Sequence, residues 1–239
     1  NINEKKGDNH FNCPVVAYYP EVIAANVGRI KETKFIFDYL GFDNIKLLVK
    51  RIHEILKDDH KDIKLNEVNL AVYRAKKEYE RYMGKLQRKG EEFLELAKVE
   101  DKKVVVLAGR PYHIDPEINH GIGKLLTEYD VVVLSEDSIS HLAGRTKTDI
   151  LNQWTYHSRL YSVSEYISKL DNVQLIQLVS FGCGLDAITS DEVKGILEEN
   201  KKIYTQIKID EISNLGAVKI RIRSLLAAIE QREREMMMV

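Results

Sequence analysis

Cys183 lies between Gly182 and Gly184 in the segment Ser180-Phe-Gly-Cys-Gly-Leu-Asp186, directly after the apolar run Leu175–Val179. A thiol flanked by residues without side chains lets the backbone pass close to a bulky ligand. As a nucleophile it needs a base nearby, and as a metal ligand it needs an uncrowded thiolate. A second polar segment, Gly109-Arg-Pro-Tyr-His-Ile-Asp115, follows the run Val104–Ala108 and offers Arg110, Tyr112 and His113. Asp115, Glu117 and His120 crowd the same stretch, where a helix cap accounts for Asp115 and a solvated loop competes with a His113–His120 metal pair. The second cysteine, Cys13, precedes Pro14 just ahead of an apolar segment, and Cys-Pro steps recur beside iron–sulfur clusters. A buried structural cysteine is the competing reading at both positions. Two cysteines without a CxxC pair exclude a self-contained four-cysteine zinc site.

The elements that position these residues follow from periodicity. After residue 100, strands Lys103–Ala108, Val131–Leu134, Val173–Val179 and Lys202–Ile207 alternate with helical patterns. The helices are expected near Glu117–Thr127, Asp149–Leu170, Asp191–Glu199 (opened by a Thr189–Glu192 capping box) and along Val218, Ile222, Leu225 and Ile229. Strand–helix alternation with short apolar strands predicts an α/β fold, a Rossmann-like or flavodoxin-like four-stranded parallel sheet of order 2-1-3-4. Its crevice opens between the first and third strands, which carry the two polar loops. Residues 101–239 are thus expected as a Rossmann-like (βα)₄ lobe.

Residues 1–100 read as a mainly helical, truncated α/β lobe with one strand at Pro14–Tyr18. Helical faces follow at Phe35–Gly41 and Ile45–Leu56. A long stripe, Leu65, Val68, Val72, Ala75, Tyr79, Tyr82 and Leu86, is expected to break at Gly90. The chain has 239 residues, a formal net charge of −1, 44% hydrophobic and 31% charged residues, which describes an ordinary globular protein. That charge gives no field for nucleic acid or a membrane surface, and the Lys219, Arg221 and Arg223 cluster reads as a solvated helix face. No apolar run approaches a membrane span, and no signal peptide opens the sequence, so the cytoplasm is expected. Gly121-Ile-Gly123 sits inside a helical pattern, so a dinucleotide fingerprint is absent.

Four segments in order, Asn12–Val22, Lys34–Phe42, Gly109–Gly121 and Ser180–Ile188, resemble the uncharacterised domain of the large proteins related to 2-hydroxyglutaryl-CoA dehydratase and its activase. The resemblance implies Rossmann-like lobes holding a 4Fe–4S cluster at the lobe interface, with Cys13 and Cys183 as its ligands. Arg110, Tyr112 and His113 would line the cofactor crevice. The implied partner is an ATPase activase module, in the same chain or separate, with an acyl-CoA as substrate class. The implied role is receiving or passing low-potential electrons in anaerobic metabolism, and a non-catalytic docking or regulatory domain is the alternative. The chain opens on Asn1, and the family pattern carries a further cysteine ahead of that point. The cluster is therefore expected in the full-length protein and absent or incomplete in the chain as it stands.

Overall fold

The computed structural model describes residues 7–180, 182–210 and 215–238. By its internal contacts the chain divides within one helix, between Met83 and Gly84. The first unit takes the residues up to Met83 with Gln153–Thr155, and the second takes the remainder.

In the first unit, α1 (Pro14–Asn26) and α2 (Ile45–Lys57) precede α3 (Leu65–Val99), which continues into the second unit. The expected strand Pro14–Tyr18 is helical. Pro14 occupies the first helical position, where a missing N–H costs nothing. Pro20 lies inside α1. Residues 34–41 form no helix, while α2 begins where expected, with the Asn44 side chain accepting from the Leu47 N–H at 3.1 Å. Phe11 pairs in parallel with Trp154 through an isolated bridge. Leu48, Val49 and Val68 are buried here, whereas α1 buries no side chain.

The second unit carries the expected sheet. Its elements are β1 (Val104–Ala108), α4 (Ile122–Thr127), β2 (Val132–Ser135), α5 (Glu136–Ile139), α6 (Thr155–Ser168), β3 (Val173–Val179), α7 (Gly184–Glu199), β4 (Tyr204–Lys208) and α8 (Gly216–Met237). All pairings are parallel in the order β2-β1-β3-β4, with Val104 opposite both Val132 and Val173, and Leu175 opposite Tyr204. Every residue of β1 and β3 is buried, because helices cover both faces. Val104, Val106 and Leu175 pack with Leu160, Val163 and Ile167 of α6 and with Val193 and Leu197 of α7. Val105, Leu107 and Ile176 alternate to the other face, against Leu125 of α4 and Val218, Ile222, Leu225 and Ile229 of α8.

Two helix boundaries depart from the sequence pattern. α7 starts at Gly184, five residues before the Thr189–Glu192 box. Thr189 is already in helix and donates to the Leu185 carbonyl at 2.7 Å, while Glu192 accepts from the Asp149 N–H at 3.0 Å. Gly90 does not interrupt α3: a Cβ there would run into the Ser138 carbonyl, its carbon at 2.9 Å, so this glycine permits a close crossing.

Candidate functional site at the carboxyl ends of β1 and β3

β1 and β3 are the central strands, and each ends in one of the two polar loops. Gly109 leaves β1 where a Cβ would lie 2.5 Å from His113 Nδ1 and 3.1 Å from the Leu178 carbonyl oxygen. No side chain fits, so the His113 ring lies against the backbone of both strands. A 3-10 turn, Pro111–Ile114, then folds His113 inward until it is fully buried. Asp115 accepts from the Glu117 N–H at 2.9 Å, capping a turn, and α4 begins only at Ile122.

The polar groups form a row. His113 Nδ1 is 3.1 Å from the Leu178 carbonyl, and its Nε2 is 2.9 Å from Ser180 Oγ. Ser180 Oγ is 3.2 Å from the Tyr112 hydroxyl, which accepts from Arg110 Nη1 at 2.9 Å. Placing the ring proton on Nδ1 satisfies the row in one direction: Arg110 donates to Tyr112, Tyr112 to Ser180, Ser180 to His113, and His113 to Leu178. The Arg110 N–H also lies 3.2 Å from Nδ1 and would be served by the opposite tautomer. We assign the first because it gives the Leu178 carbonyl a donor.

Asp186, in the first turn of α7, ties the two loops together. Its Oδ2 accepts from the Ser180 N–H at 2.9 Å and lies 2.6 Å from Arg110 Nη2, with the carboxylate side chain 8% exposed. Burial works against the Arg110 charge, but Asp186 first, then Tyr112 and Cys183, outweigh it and hold the guanidinium above its ordinary pKa. His157, buried on α6, brings Nε2 to 4.0 Å from Asp186 Oδ1, and that nitrogen has no hydrogen-bond partner among the described residues. Burial pushes both imidazoles down to about 4. The Arg110 charge adds to this, and Asp186 opposes it.

Cys183 is the N-cap residue of α7, at φ −82° and ψ 113°, with a half-exposed thiol that makes no capping bond. Gly182 before it takes φ +71°, a left-handed conformation suited to glycine, and Phe181 lies outside the described residues. Cys13 holds the same kind of position in the first unit. It is the N-cap of α1, extended at φ −56° and ψ 133°, free, half-exposed and unused as a cap.

The second unit thus gathers Arg110, Tyr112, His113 and Cys183, and the structure adds Ser180, Asp186 and His157. The histidine pair does not form, since His120 Nε2 turns to the Ile209 carbonyl at 3.2 Å while His113 faces Leu178. Ser180 and Asp186 stood within the quoted loop and could be suspected from it. Nothing in the sequence marks His157, a residue of an ordinary helix pattern. For an iron–sulfur cluster the donors fit in kind, as two free thiols each at a helix N-terminus, where an anionic group is favoured. Among the described residues, no group of three or more His, Cys, Asp or Glu side chains is arranged to hold a metal.

Among the described residues no helix is long and apolar enough to cross a membrane. No curated protein and no solved structure is similar enough to match the chain. A family model does match, over residues 1–139, from Asn1 through β1, the Arg110–His113 turn and β2 to the end of α5. The chain belongs to that family, the CoA enzyme activase uncharacterised domain (DUF2229).

Proposed function

We propose that this chain is an iron–sulfur component acting beside an ATP-hydrolysing activase, receiving or passing low-potential electrons in the service of an enzyme that handles an acyl-CoA. The observation that carries the reading is Cys183, a free thiol at the N-cap of α7, on the loop beyond β3 that Asp186 ties to Arg110. Family membership supplies the CoA-enzyme context. A 4Fe–4S cluster, when bound, stores one electron at low potential. This chain's part is to present Cys183 and Cys13 as thiolate ligands.

Arg110 serves by placing positive charge beside Cys183, and Asp186 holds that guanidinium in one orientation. His113 and Ser180 fix the backbone of the two loops, so that the thiol is carried on a rigid frame. A docking or regulatory role is the second reading. It is favoured by α1, which leaves Val15, Val16, Tyr18, Tyr19 and Val22 exposed.

Anaerobic purification of the full-length protein, followed by iron and sulfide analysis, separates the two. The electron-transfer reading expects about four irons and four sulfides per chain, lost in Cys183→Ser. A colourless protein free of iron and sulfide overturns it and leaves docking.

A further inference from the structure

β1 and β2 end side by side, and beyond their carboxyl ends lies a cavity of about 220 Å³. It lies on the carboxyl-end side of the parallel sheet, where ligands bind in such folds, one strand away from the β1–β3 crevice. Its walls are mostly apolar, formed chiefly by Leu107, Ile114, Pro116 and Leu134, and the Ser135 hydroxyl beside them is engaged, donating to Asp137 at 2.6 Å. Asn119 also lines it, but its amide is spent within the fold, donating to the His113 carbonyl at 3.1 Å and accepting from the Ile122 N–H at 3.1 Å. One charged side chain lines the cavity, the exposed Lys124, whose ammonium has no hydrogen bond or ion pair among the described residues.

Size and polarity together select the ligand. A volume of about 220 Å³ equals roughly seven waters at about 30 Å³ each, which suits a molecule of short-chain acid size. Drug-sized and nucleotide ligands occupy about 300–1,000 Å³. An inorganic anion would gain nothing from four apolar walls, and a plain hydrocarbon would leave the lysine unused. We propose that this cavity binds a short-chain carboxylate, its hydrocarbon against Leu107, Ile114, Pro116 and Leu134 and its carboxylate at the Lys124 ammonium. The proposal is independent of the cluster at Cys183.

Calorimetric titration of the whole chain with hexanoate, hexanol and inorganic phosphate tests it. Hexanoate is expected to bind, hexanol about tenfold more weakly for want of the charge-assisted contact, and phosphate not at all. Gly123→Met extends a side chain into the cavity. Its Cβ would meet only Leu107 Cδ1, at an ordinary 3.8 Å, and hexanoate binding should disappear. The surface variant Lys124→Gln should bring hexanoate down to the affinity of hexanol and leave hexanol unchanged. No heat with hexanoate, equal binding of hexanoate and hexanol, or a Lys124→Gln variant that binds hexanoate like the wild type would each overturn the assignment.

Discussion

Acidification tests the buried imidazoles of the site. His113 and His157 have an ordinary pKa of 6.5 and are pushed down to about 4 by burial, with the Arg110 charge pressing the same way. In the unfolded chain both take up protons near 6.5, whereas the folded protein resists until about 4. Between those pH values the unfolded state carries more protons, so stability must fall as the pH falls. The gap of about 2.5 pH units, at about 1.4 kcal/mol each, gives a ceiling of about 3 kcal/mol per imidazole. The two share Arg110 and Asp186 and add incompletely, so the expected loss is about 3–6 kcal/mol, against a typical domain stability of about 5–15 kcal/mol. Urea unfolding at a series of pH values from 7.5 to 4 measures it. Carboxylates elsewhere contribute at the acid end, so the comparison is between wild type and His157→Gln. The variant should lose close to half of the pH dependence between 6.5 and 4. An unchanged slope in a double His113→Gln, His157→Gln variant would refute the reasoning.

Three substitutions probe the supports of the site and the sheet. Asp186→Asn breaks a largely buried ion pair and strands Arg110, and should destabilise the protein by about 3–5 kcal/mol in urea unfolding; a change under about 1 kcal/mol contradicts the pairing. Gly90→Ala places a methyl group against the Ser138 carbonyl. The overpacking, about 1–3 kcal/mol, should outweigh the roughly 1 kcal/mol that alanine gains over glycine in a helix, so a net stabilisation would count against the close crossing. Lys202 donates to the Leu170, Asp171 and Val173 carbonyls at the opposite end of the sheet. Lys202→Met should therefore lower the thermal midpoint, with a cost of about 1–3 kcal/mol, and leave the pH response of the histidines unchanged.

The sheet could be read from the chain because its signals are local. β3 is bounded by turn residues at both ends, and the stripe Val218, Ile222, Leu225, Ile229 fixes which face of α8 meets the sheet. Order β2-β1-β3-β4 follows from crossover handedness, so the juxtaposition of the Arg110 and Cys183 loops was available before any coordinates. What escaped depends on contacts remote in sequence. His157 reaches the site because α6 packs across the sheet, and Arg110 finds Asp186 through the folded loops. Local patterns also misled where two elements compete. Val15-Val16 before Tyr19-Pro20 imitates a strand although Pro14 opens a helix, and Thr189–Glu192 imitates a cap inside α7. Gly90 imitates a helix stop because the Ser138 carbonyl that explains it lies far along the chain.

The proposal that Cys183 and Cys13 serve as thiolate ligands is tested by thiol accessibility. The full-length protein, purified without oxygen, is alkylated under native conditions, before and after the iron is stripped by chelator and oxidant, and each cysteine is scored by peptide mass. Both cysteines should be protected while iron and sulfide are present, and both alkylated once these are removed, as expected for half-exposed free thiols. Rapid alkylation of Cys183 in protein that retains its full iron and sulfide would contradict it.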